Sequence, residues 1–358
     1  MTCPADTYVE AQKAVERLMA FMVRACEAPG VTDLTLLSTG EVGVRANTFL
    51  QCSQHAWLRE DWDLAVTALL GSPPWRETPM RRRAALKVVA VEGRRFRCTW
   101  ARHHGGEEVA VRPLPTTIPS PQELGLPSVL TQAVGRLAGG LILICGPTGS
   151  GKSWSMASLI QHRARHRGGK YITLESPIEF LHRNTATALF HQRAIGTDVA
   201  GYALGLEEAL IQNPDCIGVQ ELRDRASAET ALSAALTGHL VLATLHAHDA
   251  ASAPERFASL LEAPLGQKSS LMQTVALALE LIVAMRLLPG QQGLVPVFDI
   301  LTLREGGGVM KRVPKLMSMI AQSQTAALRN EQLTGARHGM VTFEQSIEEK
   351  LAEGLLLV

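Results

Sequence analysis

Leu141-Ile142-Leu143-Ile144-Cys145-Gly146-Pro147-Thr148-Gly149-Ser150-Gly151-Lys152-Ser153 is the stretch of this 358-residue chain whose reading decides its fold. The apolar run 141–145 predicts a buried strand, and the eight residues after it complete the G-x-x-x-x-G-K-[ST] spacing of a phosphate loop. Gly146, Gly149 and Gly151 have no Cβ, so backbone N–H groups can turn inward and close on an anion. Lys152 is placed to reach the β- and γ-phosphates and Ser153 to hold Mg²⁺. Trp154 begins a helical stretch over 154–161 whose N-terminus adds partial positive charge. Strand, loop and helix together imply a site for ATP lined by Gly146, Pro147, Thr148, Gly149, Ser150, Gly151, Lys152, Ser153 and Trp154.

Downstream of the loop, apolar runs at 171–174, 216–219, 240–245 and 295–301 alternate with helical stretches. Continuous rather than alternating apolar runs predict strands covered on both faces, the mark of a mostly parallel α/β sheet. The last hundred residues read as largely helical. Upstream, apolar spacing predicts an amphipathic helix over 8–28. Short strands follow at 33–37, 42–46, 86–91, 95–100 and 108–112, with a hairpin turn at His103–Gly106. Pro113, Pro115, Pro119 and Pro121 then forbid a continuing helix or central strand. The expected organisation is a small α+β domain at 1–112, a proline-rich linker at 113–121 and an α/β domain at 122–358.

Composition narrows the function classes. Apolar residues make up 46% of the chain, enough for two cores, and 35 Lys and Arg balance 34 Asp and Glu for a net charge of +1. That balance argues against a protein that coats nucleic acid, so no direct nucleic-acid binding is expected. The six cysteines include no C-x-x-C pair, which excludes a zinc knuckle and fits a reducing compartment. The most apolar window, 271–288, is broken by Gln273, Glu280 and Arg286, so no membrane span is expected. Acidic residues near the N-terminus do not fit a signal peptide. A cytoplasmic protein is expected.

Cleaving a bound triphosphate needs a carboxylate near Mg²⁺, a group to orient water, and cations for the charge on the transferring phosphoryl. Glu175 and Glu221 each follow an apolar run, so both are expected at the carboxyl edge of the sheet, where ligands of open α/β sheets bind. His246 closes the run 240–245 and reaches the same edge, whereas His239 opens it. Taken singly, each carboxylate could equally be a solvated strand-end charge, and each histidine a structural one.

These motifs, in this order, resemble the secretion ATPase superfamily that powers type II secretion, type IV pili and some type IV secretion machines. The likeness rests on the phosphate loop, Glu175-x-Pro-Ile-Glu-Phe180, Gln192-Arg193, Asn213-Pro214-Asp215, Gln220-Glu221-Leu-Arg-Asp224, Thr237-Gly-His239, Thr244-Leu-His246 and Arg286-Leu-Leu-Pro. Lacking a four-cysteine insertion, the chain is similar to the compact pilus-retraction (PilT-like) branch and to its type IVB secretion and conjugation relatives. The resemblance implies a PAS-like N-terminal domain followed by a RecA-like P-loop ATPase domain, assembled as a homohexamer. It implies that Glu175 is the acidic-box carboxylate, a metal ligand with Ser153, and that Glu221 is the catalytic glutamate. It makes His239 and His246 the histidine box, marks Arg193 as a site residue, and brings Arg97 and Arg112 to the nucleotide. The implied partner is an inner-membrane platform protein, with membrane association only through such partners. The chain departs from the pattern in four places: Trp154 where Thr is common, Ser176 where a second acid is usual, Gln220 where Gly is usual, and Leu210-Ile211-Gln212 in a stretch that often holds an arginine. A RecA-type nucleic-acid translocase shares the loop and sheet and is the alternative of another class.

Overall fold

The structure, a computed structural model, describes residues 4–27, 30–46, 49–54, 59–70, 84–261, 268–291, 293–305 and 311–357. The chain forms two compact units, Met1–Thr116 and Thr117–Val358.

In the first unit, six antiparallel strands run in the order β3-β2-β1-β6-β5-β4. They are β1 (Val31–Leu37), β2 (Glu41–Ala46), β3 (Phe49–Gln54), β4 (Ala84–Val91), β5 (Arg94–His103) and β6 (Gly106–Leu114), accompanied by α1 (Pro4–Ala25) and α2 (Arg59–Leu70). Alternation puts Phe96, Cys98 and Trp100 of β5 and Val109 and Val111 of β6 into one core with Met22, Trp62 and Val66 of the helices. Gly105, at φ +93°, makes the tight β5–β6 turn. The helix expected over 8–28 spans Pro4–Ala25, and residue 28 lies outside the described residues.

β6 runs further than its prolines suggested: Pro113 pairs with Phe96 and the strand ends at Leu114. Pairing of β6 with β1 has ended by then, at Leu34↔Val111, so a residue without an N–H is tolerated. Pro119 is no free tether either, since its carbonyl accepts the Ser158 hydroxyl at 2.7 Å.

The second unit is built on seven strands in the order β13-β12-β7-β11-β10-β8-β9. They are β7 (Gly140–Cys145), β8 (Gly169–Glu175), β9 (Ala188–Ala194), β10 (Cys216–Val219), β11 (Leu240–Leu245), β12 (Leu279–Gly290) and β13 (Gly293–Thr302). All neighbours pair in parallel except the edge strand β13. Along β7, Leu141, Leu143 and Cys145 enter one core while Ile142 and Ile144 enter another, which is why the run is apolar at every position. The first core holds side chains of α5 (Tyr202–Leu210), α6 (Arg225–Leu236), α7 (Ala253–Leu260) and α8 (Lys268–Ala278); the second holds those of α3 (Ser128–Arg136) and α4 (Lys152–Arg167). α9 (Pro314–Ala321), α10 (Thr325–Thr334) and α11 (Phe343–Ala352) close the unit.

The C-terminal hundred residues are less helical than expected. The apolar run over 271–288 divides into α8 and the long strand β12, which hides its charge by pairing Glu280 with Arg304 and Arg312. No helix of the described residues is long and apolar enough to cross a membrane.

Candidate nucleotide-binding site

β7 delivers the phosphate loop at the carboxyl edge of the sheet, between β11 and β12. Gly146 has φ +143°, and a Cβ there would stand 2.4 Å from the Met285 carbonyl oxygen. Gly151, at φ +94°, turns the chain into α4. Both positions therefore demand glycine, at a cost of about 1–2 kcal/mol for a left-handed L-residue before any clash. The Lys152 ammonium donates to the loop's own carbonyls, Gly146 O at 2.8 Å and Pro147 O at 2.7 Å. Burial lowers the Lys152 pKa, and the nearby Glu221 carboxylate opposes that shift. Ser153 lies in the first turn of α4. Trp154 is 42% exposed and meets the buried Phe180 ring edge-on, with centroids 5.0 Å apart.

Glu175 ends β8 and is only 6% exposed. Its Oε1 accepts from the Thr173 hydroxyl at 2.7 Å and from Gln192 Nε2 at 3.0 Å. Burial raises the carboxyl pKa; those two hydrogen bonds pull the other way. Glu221 follows β10. Its Oε1 lies 3.1 Å from His246 Nε2 and its Oε2 2.6 Å from Arg223. His246 follows β11, so adjacent parallel strands bring acid and imidazole together. A carboxylate has about four lone-pair directions, so both contacts leave room for a further donor.

Gln220, where the family pattern has glycine, ties the two carboxylate-bearing segments together. Its side-chain Oε1 accepts from the Ser176 N–H and its Nε2 donates to Pro177 O at 3.3 Å. On the other side, the Thr244 hydroxyl donates to the Gln220 carbonyl and Leu222 N–H to Thr244 O. Glu221 is thus pinned between β11 and the segment that follows Glu175.

The remaining expected residues lie apart. His239 precedes β11 at its amino end, with its carbonyl accepting from Gly140 N–H at 3.0 Å. The length of β11, at about 3.3 Å per residue, separates it from His246 by roughly 20 Å. Arg193 stands on β9, pairs with Glu208 of α5 at 2.5 Å and donates to Asp198 O at 3.2 Å. Arg97 and Arg112 belong to the first unit, where they are direct cross-strand partners on β5 and β6. Arg112 is held by Asp33 at 2.6 Å. Like charges placed opposite one another oppose strand pairing, so a purely structural sheet gains nothing from this arrangement.

Sequence reasoning gave no role to Gln192 or Arg223, although both stood in quoted motifs. Gln192 lies opposite Thr173 in the β8–β9 register, a relation fixed only once β9 is known to be a strand.

Residues 76–293 match the family model described as "Type II/IV secretion system protein". Among curated proteins, the chain is 35% identical over 270 residues to "Uncharacterized protein YggR" of Escherichia coli (strain K12), covering 75% of this chain and 79% of that one. It is 30% identical over 268 residues to the "Type IV pilus retractation ATPase PilT" of Pseudomonas aeruginosa, covering 73% of each. Among solved structures, it is similar to the "Pilus Retraction Motor PilT and Bound ADP", with a TM-score of 0.81, 29% identity and coverage of 95% of this chain and 94% of that one. The Legionella pneumophila ATPase DotB shares the fold, with a TM-score of 0.77 at 22% identity and coverage of 95% and 93%.

Proposed function

The chain belongs to the type II/IV secretion system protein family, and from that premise we propose that it is a Mg²⁺-dependent ATPase motor of the pilus-retraction type. The observation that carries the reading is one edge of one sheet: the phosphate loop with Lys152, the buried carboxylate Glu175 and the Glu221–His246 pair all stand at the carboxyl ends of adjacent strands. Lys152 exchanges two loop carbonyls for β/γ-phosphate oxygens, and loop N–H groups cradle the phosphates. Trp154 lines the mouth of the loop.

One hydroxyl and one carboxylate, Ser153 and Glu175, form a donor set that suits Mg²⁺, which keeps several waters and takes phosphate oxygens rather than an all-protein cage. Mg²⁺ supplies charge neutralisation at the β/γ-phosphates. Glu221 orients and deprotonates the attacking water, and His246, on the opposite carboxylate oxygen from Arg223, fixes the direction of that base. Water oxygen bonds to the γ-phosphorus as the bond to the β,γ-bridging oxygen breaks, giving ADP and inorganic phosphate.

The first unit is read as a PAS-like domain whose Arg97 and Arg112 serve nucleotide across a subunit boundary of a homohexamer. Arginine supplied in this way stabilises transition-state charge. His239, at the far edge of its own sheet, fits a role at a subunit contact better than at its own phosphate loop, and Arg193 fits a role in bracing α5. The partner is an inner-membrane platform protein of a pilus or secretion machine, which holds a cytoplasmic motor at the membrane.

Phosphate release from ATP, with and without single-stranded DNA, tests the reading. Hydrolysis that DNA leaves unchanged is expected, whereas DNA stimulation identifies a translocase. Lys152→Ala is expected to reduce turnover by about 10²–10³-fold, the effect of losing one preorganised charge stabiliser. Retention of more than a tenth of wild-type turnover contradicts the assignment.

A further inference from the structure

Parallel pairing of β8 with β10 stops at Leu174↔Val219, so Glu175 and Glu221 both stand past the end of the ladder that joins their strands. Gln220 carries the connection further. Its N–H donates to Leu174 O at 3.0 Å, and its side-chain Oε1 accepts from the Ser176 N–H. Leu174 and Ser176 are the two neighbours of Glu175 in the chain, so one residue grips the backbone on both sides of that carboxylate. Pro177 has no N–H, which leaves the Ser176 N–H as the one backbone donor of this dipeptide. Gln220 Nε2 reaches one residue beyond, donating to Pro177 O at 3.3 Å. The Gln220 carbonyl accepts from the hydroxyl of Thr244, two residues before His246, and Gln220 itself directly precedes Glu221. At 9% exposure the residue is largely shut off from water, which leaves these bonds little competition. On its other side, the Glu175 carbonyl accepts from Ile195 N–H at 2.7 Å, which ties it to the β9 side but not to Glu221.

Resting on the ATPase reading above, we propose that Gln220 is a positioning residue for hydrolysis: its side-chain amide sets the spacing between the Mg²⁺ carboxylate Glu175 and the base Glu221. The amide touches neither nucleotide nor metal and acts through the backbone on which each carboxylate stands. In-line transfer constrains both carboxylates together, because one serves the metal on the γ-phosphate oxygens and the other directs water at the γ-phosphorus. A misplacement of about 1 Å between such groups can cost about 10²-fold in rate. Without the amide, the Ser176 N–H and Pro177 O lose their partners and the segment shifts to find others. Glu175 moves with that segment, while Glu221 stays with β10 and β11.

The test compares Gln220→Met with Gln220→Ala. Met keeps nearly the volume of Gln and the backbone bonds while removing both amide groups, whereas Ala removes the volume as well. On the full chain one measures kcat for phosphate release, the affinity for a non-hydrolysable ATP analogue without and with Mg²⁺, and the Tm. Both variants are expected to lose about tenfold in kcat, the scale of one to two neutral hydrogen bonds. Tightening of the analogue by Mg²⁺ is expected to shrink at least about threefold, with Mg²⁺-free affinity within about twofold of wild type. Wild-type kcat in Gln220→Met beside an impaired Gln220→Ala overturns the proposal, because filled space and not the amide then matters. A lower Tm with kcat and the Mg²⁺ response unchanged overturns it too, since the amide then only braces the fold. So does a Mg²⁺-free affinity that falls as far as kcat, which marks a disturbed phosphate loop. Absence of hydrolysis by the wild-type chain removes the ATPase reading and this proposal with it, whereas robust wild-type hydrolysis with an unaffected Gln220→Met removes this proposal alone.

Discussion

Glu175 keeps its carboxyl inside the protein, where burial favours the proton and two donors favour the charge. The net direction is upward, so the group stays protonated to higher pH than an exposed glutamate at about 4.3. A folded pKa above the unfolded one means that its contribution to stability is complete below the unfolded value and is lost as pH rises through the folded value. Mg²⁺ binding needs the ionised form. The acid limb of Mg²⁺-dependent turnover is therefore expected above the usual carboxylate range, and Glu175→Gln is expected to abolish that limb and raise the Mg²⁺ requirement. A pH–rate profile at several Mg²⁺ concentrations checks both; an unchanged acid limb in Glu175→Gln assigns it to another group. Glu221→Gln is expected to behave differently, keeping ATP affinity near wild type while turnover falls about 10²–10⁴-fold, as for loss of a general base. Equilibrium binding beside phosphate release separates the two. These residues were legible because each stands where an apolar run stops. Gln220's tie to Ser176 and Pro177 was not, since it joins segments 44 residues apart that only the β8–β10 pairing makes neighbours.

At the scale of elements, what could be read in the sequence was what local chemistry dictates. β7 and α4 declare themselves through the glycines between them, and β11 through six buried residues in succession. β3 and β9 were missed for opposite surroundings with one consequence. β3 is exposed along its whole length, and β9 is an edge strand that mixes Phe190 with His191, Gln192 and Arg193, so neither shows an apolar run. β12 was hidden because a helix and a strand abut without a turn signal between them. The segment between β8 and β9 carries a testable feature. His182 stacks on Phe190 with centroids 4.5 Å apart, and its Nδ1 lies 2.9 Å from Gln161 Oε1, an acceptor. Burial lowers its pKa to about 4. The neutral ring therefore contributes stability that is complete above about pH 6.5 and declines as pH falls toward the folded value. Thermal unfolding of wild type and His182→Gln between pH 7 and 4 is expected to show a difference that narrows on acidification. A constant difference means that His182 does not titrate differently in the folded and unfolded chain.

For the whole molecule, the central claim is a motor whose subunits share their sites. Within the second unit, Lys152, Glu175, Glu221 and His246 gather at one sheet edge, while the candidate cations Arg97 and Arg112 stand on a separate unit. The two units were legible in the patterning and the proline cluster, but a role for Arg97 and Arg112 at the nucleotide had no signature in periodicity or spacing; only the likeness of the motifs to a known family suggested it. A ring that completes each site from a neighbouring subunit makes turnover depend on the company each subunit keeps. The most direct measurement is phosphate release from mixtures of Glu221→Gln and Arg112→Ala chains at fixed total concentration, assembled together before assay. Mixed assemblies are predicted to recover turnover well above that of either variant alone, because a site with an intact Glu221 can take Arg112 from a Glu221→Gln neighbour. A mixture no more active than the mean of the two variants assayed separately would mean that each chain uses only its own residues, and contradicts the shared-site motor.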